Sequence, residues 1–221
     1  MLLHDDHDYT PGFTRDFLLP FYDPLTRLAG TRRMHRLLLE LAGIGPGRRV
    51  LDIGTGTGEL ALAIAGSVPG VEVVGLDPDR LALRRAGRKA AARGLTGRVC
   101  FDHGYGDRLG YDDDSFDHVV SAFAYHHLES AAKDALLLGV ARVLCPGGAF
   151  HLVDFGGHVD PGDGPVARLT LRSAMLGDNL DDALPERMRA AGLVRVEEVT
   201  HRVTRRLGRV TFWRAHAAGS P

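Results

Sequence analysis

The chain has 221 residues, of which 44% are hydrophobic and 25% charged, a composition typical of a globular protein with a substantial core. Its 27 Lys and Arg residues nearly balance 28 Asp and Glu residues, and the net charge of −1 argues against a nucleic-acid-binding surface. Two cysteines in separate segments argue against a disulfide scaffold and a cysteine-rich zinc site. The acidic first residues and the lack of a long apolar run predict a cytoplasmic protein without a membrane span.

The N-terminal region is predicted to contain a polar arm followed by two helices. Residues 1–12 are polar, whereas residues 13–29 and 31–43 carry apolar residues at helical spacing. The second helix is expected to end at Gly43, because glycine commonly terminates helices.

From residue 48 onward, short apolar segments typical of buried strands alternate with helical segments. The predicted strands are 48–54, 71–77, 98–104, 115–123 and 147–155. The predicted helices between them are 59–68, 80–94 and 128–143. This alternation predicts a parallel sheet with helices on both faces.

The last third of the chain has a different pattern. A Gly- and Pro-rich connection at 156–165 precedes helical spacing over 166–176 and 183–191. The tail contains VRVEEVT and GRVTFWRAHA, which predict two strands joined by a short turn and therefore antiparallel to each other. With no internal repeat or low-complexity block, residues 1–221 are expected to form a single domain.

The segment VLDIGTGTGELALAIA, residues 50–65, combines a strand, a glycine-rich turn and a helix. Glycine at positions 54, 56 and 58 permits positive φ angles and lets a ligand approach the backbone closely. The G-x-G-x-G spacing differs from the G-x-G-x-x-G of dinucleotide-binding loops. The segment therefore predicts a ligand-binding loop and argues against a dinucleotide-dependent oxidoreductase.

Two acidic residues accompany this loop. Asp52 precedes it by two residues, where a carboxylate would repel a pyrophosphate but could hold an ammonium group, directly or through water. Asp77 ends the next strand, nineteen residues after Gly58, where it could accept hydrogen bonds from ribose hydroxyls. The two carboxylates make a purely structural glycine turn the weaker interpretation.

Four motifs, in order, resemble those of class I S-adenosylmethionine-dependent methyltransferases over roughly residues 35–155. DIGTGTG resembles the first motif of that family, and GLDPD resembles its ribose-binding acidic motif. LGYDDDSFDHVVSAFAYHHL resembles the L-P-F-x-D-x-S-F-D segment, and RVLCPGGAFHLVDF resembles the L-x-P-G-G turn with its following strand. The chain is most similar to the ubiquinone/menaquinone-biosynthesis methyltransferases and their small-molecule relatives.

The resemblance implies an α/β, Rossmann-like fold. Its sheet would have seven strands, mostly parallel with an antiparallel last strand, helices on both faces and an N-terminal helical lid. Residues 1–43 would form the arm and helices over the active site, 44–155 the cofactor-binding core, and 156–221 the substrate-side connection and C-terminal strands.

The resemblance also implies that S-adenosylmethionine is the cofactor and S-adenosylhomocysteine the product. The glycine loop would line the methionine part, Asp77 the ribose, Pro78 the adenine, and the segment after Gly104 the adenine edge. Ser121 to Phe123 would lie beneath the sulfonium, and Tyr22 near the carboxylate of the methyl donor. The expected cofactor-binding residues are Tyr22, Asp52, Gly54, Thr55, Gly56, Gly58, Asp77, Pro78, Gly104, Tyr105, Gly106 and Ser121.

One departure from the family pattern concerns the adenine contact. Where relatives commonly read G-D-A, this chain reads Gly104, Tyr105 and Gly106. The usual acidic residue is therefore replaced by a tyrosine, and either Asp107 or the Tyr105 hydroxyl would substitute for it.

The expected substrate is a small organic molecule, methylated at O, N or C by in-line displacement. The end of the fourth strand reads SAFAY and lacks the N-P-P-Y or D-P-P-Y motif of amino-methyltransferases, which argues against nucleic acid. An apolar lining is predicted from Phe13, Phe17, Phe21, Tyr125 and Phe155. The alternative is a protein with this fold and cofactor site that does not methylate and has a rearrangement or regulatory role. The protein is expected to be a monomer or a homodimer.

The adjacent histidines His126 and His127 follow the fourth strand. Neighbours on a helix point about 100° apart, so the pair is not expected to bind one metal, and no metal site is predicted. The HDDHD cluster near the N-terminus is interpreted as part of the polar arm. We expect His126 to face the substrate, as the candidate catalytic residue, and His127 to face the following helix and the core.

Overall fold

The computed structural model describes residues 30–158, 182–204 and 208–219. These residues form seven strands, five α-helices and one 3₁₀ turn, Tyr125–His127. The strands are β1 Arg49–Ile53, β2 Glu72–Asp77, β3 Val99–His103, β4 Phe116–Ala122, β5 Leu144–Phe155, β6 Val194–Thr204 and β7 Gly208–His216. The helices are α1 Thr31–Ala42, α2 Glu59–Ser67, α3 Arg80–Ala92, α4 Ser130–Val143 and α5 Ala183–Ala190.

All seven strands belong to one sheet with the order β3-β2-β1-β4-β5-β7-β6. Strands β1 to β5 are parallel to one another, whereas β7 is antiparallel to both β5 and β6. The prediction of a mostly parallel seven-stranded sheet with an antiparallel last strand is therefore confirmed. The chain order reverses direction between β1 and β4, and in open α/β sheets ligands bind beside such a switch point.

Two hydrophobic clusters cover the two faces of the sheet. Consecutive strand residues point to opposite faces, so Leu51 enters the cluster that contains α4 and α5 residues and Val50 enters the other. The second cluster packs α1 and α2 onto the sheet through side chains such as Leu38 and Ile64. Each fully buried aliphatic side chain contributes about 1.5–3 kcal/mol, so this packing holds the strand ends in place.

Charged groups add a connection between the first three helices. Glu59, the first residue of α2, accepts a hydrogen bond from Lys89 of α3 at 2.9 Å and from Arg32 of α1 at 3.4 Å. A carboxylate in the first turn of a helix also interacts favourably with the helix dipole. Lys89 therefore joins α3 to α2 through this ion pair.

The predicted elements between residues 31 and 143 lie within a few residues of the observed ones. Larger differences occur in β6, which continues four residues beyond the predicted VRVEEVT to Thr204, and in β5, which begins at Leu144 and not at residue 147. Phe116 pairs with Leu144 and His118 pairs with Ala149, so the C-P-G-G segment bulges within the strand. The predicted arm 1–12 and the predicted helices 13–29 and 166–176 lie outside the described residues, as does most of the Gly/Pro-rich connection. Of the residues described, no helix is long and apolar enough to cross a membrane.

Candidate active site at the carboxyl end of the sheet

The predicted site residues that the structure describes come together at the carboxyl ends of β1, β2, β3 and β4. The loop after β1 contains the three glycines, β2 ends in Asp77, and the segments after β4 and β5 lie on the other side of the switch point. Parallel strands place their carboxyl ends at one edge, which explains why residues distant in sequence become neighbours here.

The glycine loop adopts a conformation that its sequence explains. Gly54, Gly56 and Gly58 have φ angles of 73°, 52° and 79°, in the left-handed region that side chains rarely adopt. A Cβ atom added at Gly54 would overlap the Cβ of Ala124, which follows β4. Gly54 is therefore required both for the turn and for the close contact between the loops after β1 and β4.

Gly56 lies in a different environment. A Cβ atom added there would meet no heavy atom within 4 Å, so open space adjoins the middle of the loop. The backbone N–H of Gly56 donates to Asp77 Oδ2 at 2.7 Å, and the N–H of Asp79 donates to Asp77 Oδ1 at 2.9 Å. These bonds fix the carboxylate of Asp77 next to the loop. Each carboxylate oxygen has a second lone pair that can accept a further hydrogen bond, as from a hydroxyl.

Asp52 lies beneath the loop and is only 1% exposed. Its Oδ2 accepts a hydrogen bond of 2.7 Å from the hydroxyl of Thr55. Burial, with a smaller contribution from the nearby carboxylate of Asp77, raises the pKa of Asp52 to about 7, although hydrogen bonds to the carboxylate act in the opposite direction. Burial also raises the pKa of Asp77. Two carboxylates held in a buried place favour a cationic or hydroxyl-bearing ligand.

The segment after β3 supplies the remaining wall on the β2 side. Gly104 is joined to Asp77 by a backbone hydrogen bond of 3.3 Å, and Tyr105 is half-buried with its ring edge-on to His103. Pro78 is half-buried beside them. A Cβ at Gly106 would lie 3.0 Å from Leu136 and 3.1 Å from Ile53, so this glycine fits closely over the core.

Ser121 and Phe123 lie on the β4 side. Ser121 is 1% exposed and its hydroxyl donates to the Ile53 carbonyl at 2.9 Å, which joins β4 to β1 at their carboxyl ends. Phe123 has a φ of 57°, although it is not glycine. Backbone of this kind costs about 1–3 kcal/mol and is concentrated at functional sites. The turn places the Phe123 ring 5.3 Å from Phe155 and 6.4 Å from His35 of α1.

The two histidines have different surroundings. His126 is 12% exposed at its side chain, and its Nδ1 lies 2.6 Å from Oδ1 of Asp154. His127 is exposed to solvent. The prediction that His127 faces the helix and the core is therefore wrong, because the short 3₁₀ turn directs His126 inward toward β5 and leaves its neighbour outside. The catalytic role of His126 stays a prediction.

The predicted aromatic lining is only partly among the described residues. Tyr125 is fully buried in the core cluster beside α4, with Lys133 Nζ 5.5 Å from its ring centroid. Its prediction as a pocket-lining residue is therefore wrong, whereas Phe155 is half-buried next to Phe123 and His126. Tyr22 and the three phenylalanines of residues 13–21 lie outside the described residues, as does the HDDHD cluster.

Two aspartates at this edge of the sheet were missed in the sequence. Asp154 occupies the end of β5 in LVDFG, a pattern that matches VLDIG around Asp52 and VGLDP around Asp77. The shared pattern, an apolar strand that ends in an aspartate before glycine or proline, could have identified it. Asp79 caps α3, because its Oδ1 accepts hydrogen bonds from the backbone N–H groups of Leu81 and Ala82.

Comparisons with known proteins agree with this geometry. Residues 50–148 match the family described as a methyltransferase domain. The chain is 39% identical over 143 residues to a demethylmenaquinone methyltransferase of Thermus thermophilus, an alignment that covers 62% of each protein. It is 34% identical over 139 residues to a ubiquinone/menaquinone biosynthesis C-methyltransferase of Ectopseudomonas mendocina, covering 62% of this chain and 52% of that protein.

A solved structure shows the same fold. The YcgJ protein of Bacillus subtilis superposes with a TM-score of 0.69 at 22% identity, covering 86% of this chain and 100% of that one. The alignments with the two quinone-pathway proteins span less than two thirds of the length of those relatives. Residues 50–148 thus match a methyltransferase domain, and the chain is similar over about 140 residues to demethylmenaquinone and ubiquinone/menaquinone-biosynthesis methyltransferases.

Proposed function

We propose that the protein transfers a methyl group from S-adenosylmethionine to a small organic acceptor. The single observation that supports this most is the glycine loop, which adjoins open space at Gly56 and lies between the carboxylates of Asp52 and Asp77. When bound, S-adenosylmethionine supplies an electrophilic methyl group on a sulfonium. The residues around the glycine loop fit its ribose hydroxyls, its ammonium group and its apolar parts.

In this proposal Asp77 and Asp52, on the two sides of the glycine loop, bind different parts of S-adenosylmethionine. Asp77 accepts hydrogen bonds from the ribose hydroxyls with the lone pairs that Gly56 and Asp79 do not use. Asp52 attracts the ammonium group of the methionine part, assisted by the glycine loop and Thr55. Pro78 and residues 104–106 contact the adenine, and Ser121 lies below the sulfonium. Tyr22 completes the set from outside the described residues.

The acceptor is proposed from the β4 and β5 side of the switch point. Phe123, Phe155 and His126 form a half-buried aromatic wall there, which suits a flat, apolar molecule. The relatives named as quinone methyltransferases support an aromatic acceptor of that kind. Holding such a ring in a water-poor pocket in line with the methyl group is the main contribution of the protein to the rate.

Calorimetric titration with S-adenosylhomocysteine tests the cofactor site. Asp77→Asn replaces one of the two accepting oxygens with an NH₂ donor. In either orientation of the amide, this donor points at a backbone N–H, which is also a donor. We expect it to weaken binding about tenfold or more, since hydrogen bonds to charged groups contribute about 1.5–3 kcal/mol. Asp112→Asn, at an exposed position of the turn before β4, is the matched control and should bind like the wild type.

Absence of S-adenosylhomocysteine binding by the wild type would contradict the cofactor assignment. Radiolabelled S-adenosylmethionine with reduced demethylmenaquinone and a panel of phenols then tests methyl transfer itself. Binding of the cofactor without label transfer to any acceptor would favour the non-methylating alternative.

A further inference from the structure

Asp154 is buried beneath the candidate acceptor site and is held on both oxygens. It is 1% exposed, its Oδ2 accepts a hydrogen bond of 3.0 Å from the backbone N–H of His126, and its Oδ1 accepts one of 2.7 Å from the N–H of Phe155. Oδ1 also lies 2.6 Å from Nδ1 of the His126 ring. Both oxygens of Asp154 thus accept a backbone hydrogen bond, which fixes the orientation of the carboxyl group.

This arrangement determines the tautomer of His126. An ionised carboxylate can only accept hydrogen bonds, so Nδ1 of His126 carries the proton. In the neutral imidazole, Nε2 is then unprotonated and has a free lone pair. Nε2 lies across the ring from Nδ1 and therefore points away from the buried carboxylate.

The ring is fixed but its Nε2 is left available. His126 packs against Phe155 edge-on, with the ring centroids 4.9 Å apart and the planes at 78°. Within the part of the chain that the structure describes, no hydrogen bond reaches Nε2. His126 is also two residues from Ala124, the residue in close contact with Gly54 of the glycine loop. His126 thus belongs to the segment after β4 that packs against the glycine loop.

We propose that His126 is the general base of methyl transfer and that Asp154 is the residue that positions it, an inference that rests on the proposed function. The acceptor atom forms its bond to the methyl carbon with its own electron pair, and the carbon–sulfur bond breaks with its pair going to sulfur. The proton of the acceptor moves to Nε2 of His126. The resulting imidazolium is stabilised by the carboxylate of Asp154 through its contact with Nδ1.

This pair restricts the class of acceptor. A base is required when the acceptor is a phenolic or enolic oxygen, or a carbon activated by such an oxygen, because its proton must leave as the new bond forms. A neutral amine can lose its proton afterwards and requires no base. The pair therefore assigns the site to an oxygen or carbon acceptor that carries an acidic proton, and not to an amine.

Nitrogen-15 NMR of the histidine rings tests the positioning role without any turnover. In the complex with S-adenosylhomocysteine, we expect Nδ1 of His126 to be protonated and Nε2 unprotonated at neutral pH. Asp154→Ala removes the acceptor that faces Nδ1 and should shift the ring toward the opposite tautomer. Asp154→Glu, which retains a carboxylate, should keep the original tautomer at least in part. An unchanged tautomer in Asp154→Ala would overturn the positioning role.

A phenol that titrates near neutral pH, 4-nitrophenol, tests the base. Its absorbance reports ionisation, and in the wild type saturated with S-adenosylhomocysteine we expect it to bind as the phenolate at a pH below its solution pKa. His126→Ala and Asp154→Asn should lose this ionisation by tenfold or more, whereas His201→Ala, at an exposed histidine of β6, should retain it. Binding only as the neutral phenol, equal ionisation in all four proteins, or no binding of the phenol would overturn the proposal.

The affinity for S-adenosylhomocysteine separates this inference from the proposed function. If His126→Ala and Asp154→Asn bind the cofactor product like the wild type but lose the phenolate signal, the base assignment is supported. If the wild type itself binds no S-adenosylhomocysteine, the proposed function fails. If the two variants lose cofactor affinity and nothing else, the pair is structural and the inference fails alone.

Discussion

The two ends of the sheet hold aspartates in opposite ways. At the carboxyl end, Asp52 is 1% exposed and burial raises its pKa to about 7. At the amino end, Asp117 at the start of β4 accepts hydrogen bonds of 2.8 Å from both the Arg48 guanidinium and the Arg49 backbone N–H. Burial of Asp117 opposes ionisation, but these bonds outweigh it and lower its pKa.

The difference between Asp117 and Asp52 indicates that the first carboxylate contributes to stability and the second to ligand binding. Asp117 lies where its charge has a partner, so ionisation stabilises the fold. Asp52 lies where its charge is poorly solvated and close to another carboxylate, so ionisation destabilises the ligand-free protein. Sites that bind a cation or polar ligand commonly carry such an unfavourable charge, because the ligand supplies the missing partner.

The largest effect is expected for Gly54→Ala at the carboxyl end. The added Cβ would overlap Ala124 at a φ of 73°, so we expect a loss of unfolding free energy of about 3 kcal/mol or more, measured by urea denaturation. Gly56→Ala has the same kind of φ but open space, and should cost only about 1–2 kcal/mol. Ala124→Gly should partly rescue Gly54→Ala; no rescue would show that the contact between the two loops is not the cause.

The second effect concerns Asp52 and pH. The folded pKa of about 7 exceeds the ordinary 3.8, so between these values the folded state binds a proton that the unfolded chain has lost. The free energy of unfolding therefore falls as pH rises through this window and remains low above it. Asp52→Asn removes this loss and should be more stable than wild type at pH 8, by on the order of a few kcal/mol.

The comparison for Asp52 is made by denaturation of the ligand-free proteins at pH 5 and pH 8. The advantage of Asp52→Asn should shrink at the lower pH, where the wild-type carboxyl is neutral when folded. Because an amide cannot pair with an ammonium group as a carboxylate does, the same variant should also bind S-adenosylhomocysteine more weakly. An equal difference in stability at both pH values would refute the burial of an ionisable Asp52.

The smallest effect is expected at the amino end. Asp117→Asn should cost about 1 kcal/mol at pH 7, since it weakens a half-exposed ion pair and a hydrogen bond to the backbone. The lowered folded pKa means that this contribution is present above the ordinary pKa and disappears as pH falls through the folded value. Affinity for S-adenosylhomocysteine should not change. A loss of affinity comparable to that of Asp77→Asn would contradict the view that the amino end of the sheet contributes to stability and not to ligand binding.

Much of the glycine-loop side of the site could be predicted from the sequence, because its features depend on residues close together in the chain. Gly54, Gly56 and Gly58 are read from one segment, and the positive φ angles they require follow from the turn itself. The strand ends that carry Asp52 and Asp77 follow from the period of the apolar residues. The segment after β4 was predicted less well. Tyr125, His126 and His127 are adjacent, and the pattern of the sequence does not say which of them faces the core.

The sequence by itself determined the alternation of strands and helices, the glycine loop and the acidic strand ends, because each depends on residues close together in the chain. Tertiary structure alone decided that Asp154 meets His126, twenty-eight positions apart, and that Gly54 meets Ala124. It also decided that Tyr125 is buried and His127 exposed. These pairings depend on the strand order β1-β4-β5 and on one short turn, and long-range packing of this kind leaves no periodic signal in the residues themselves.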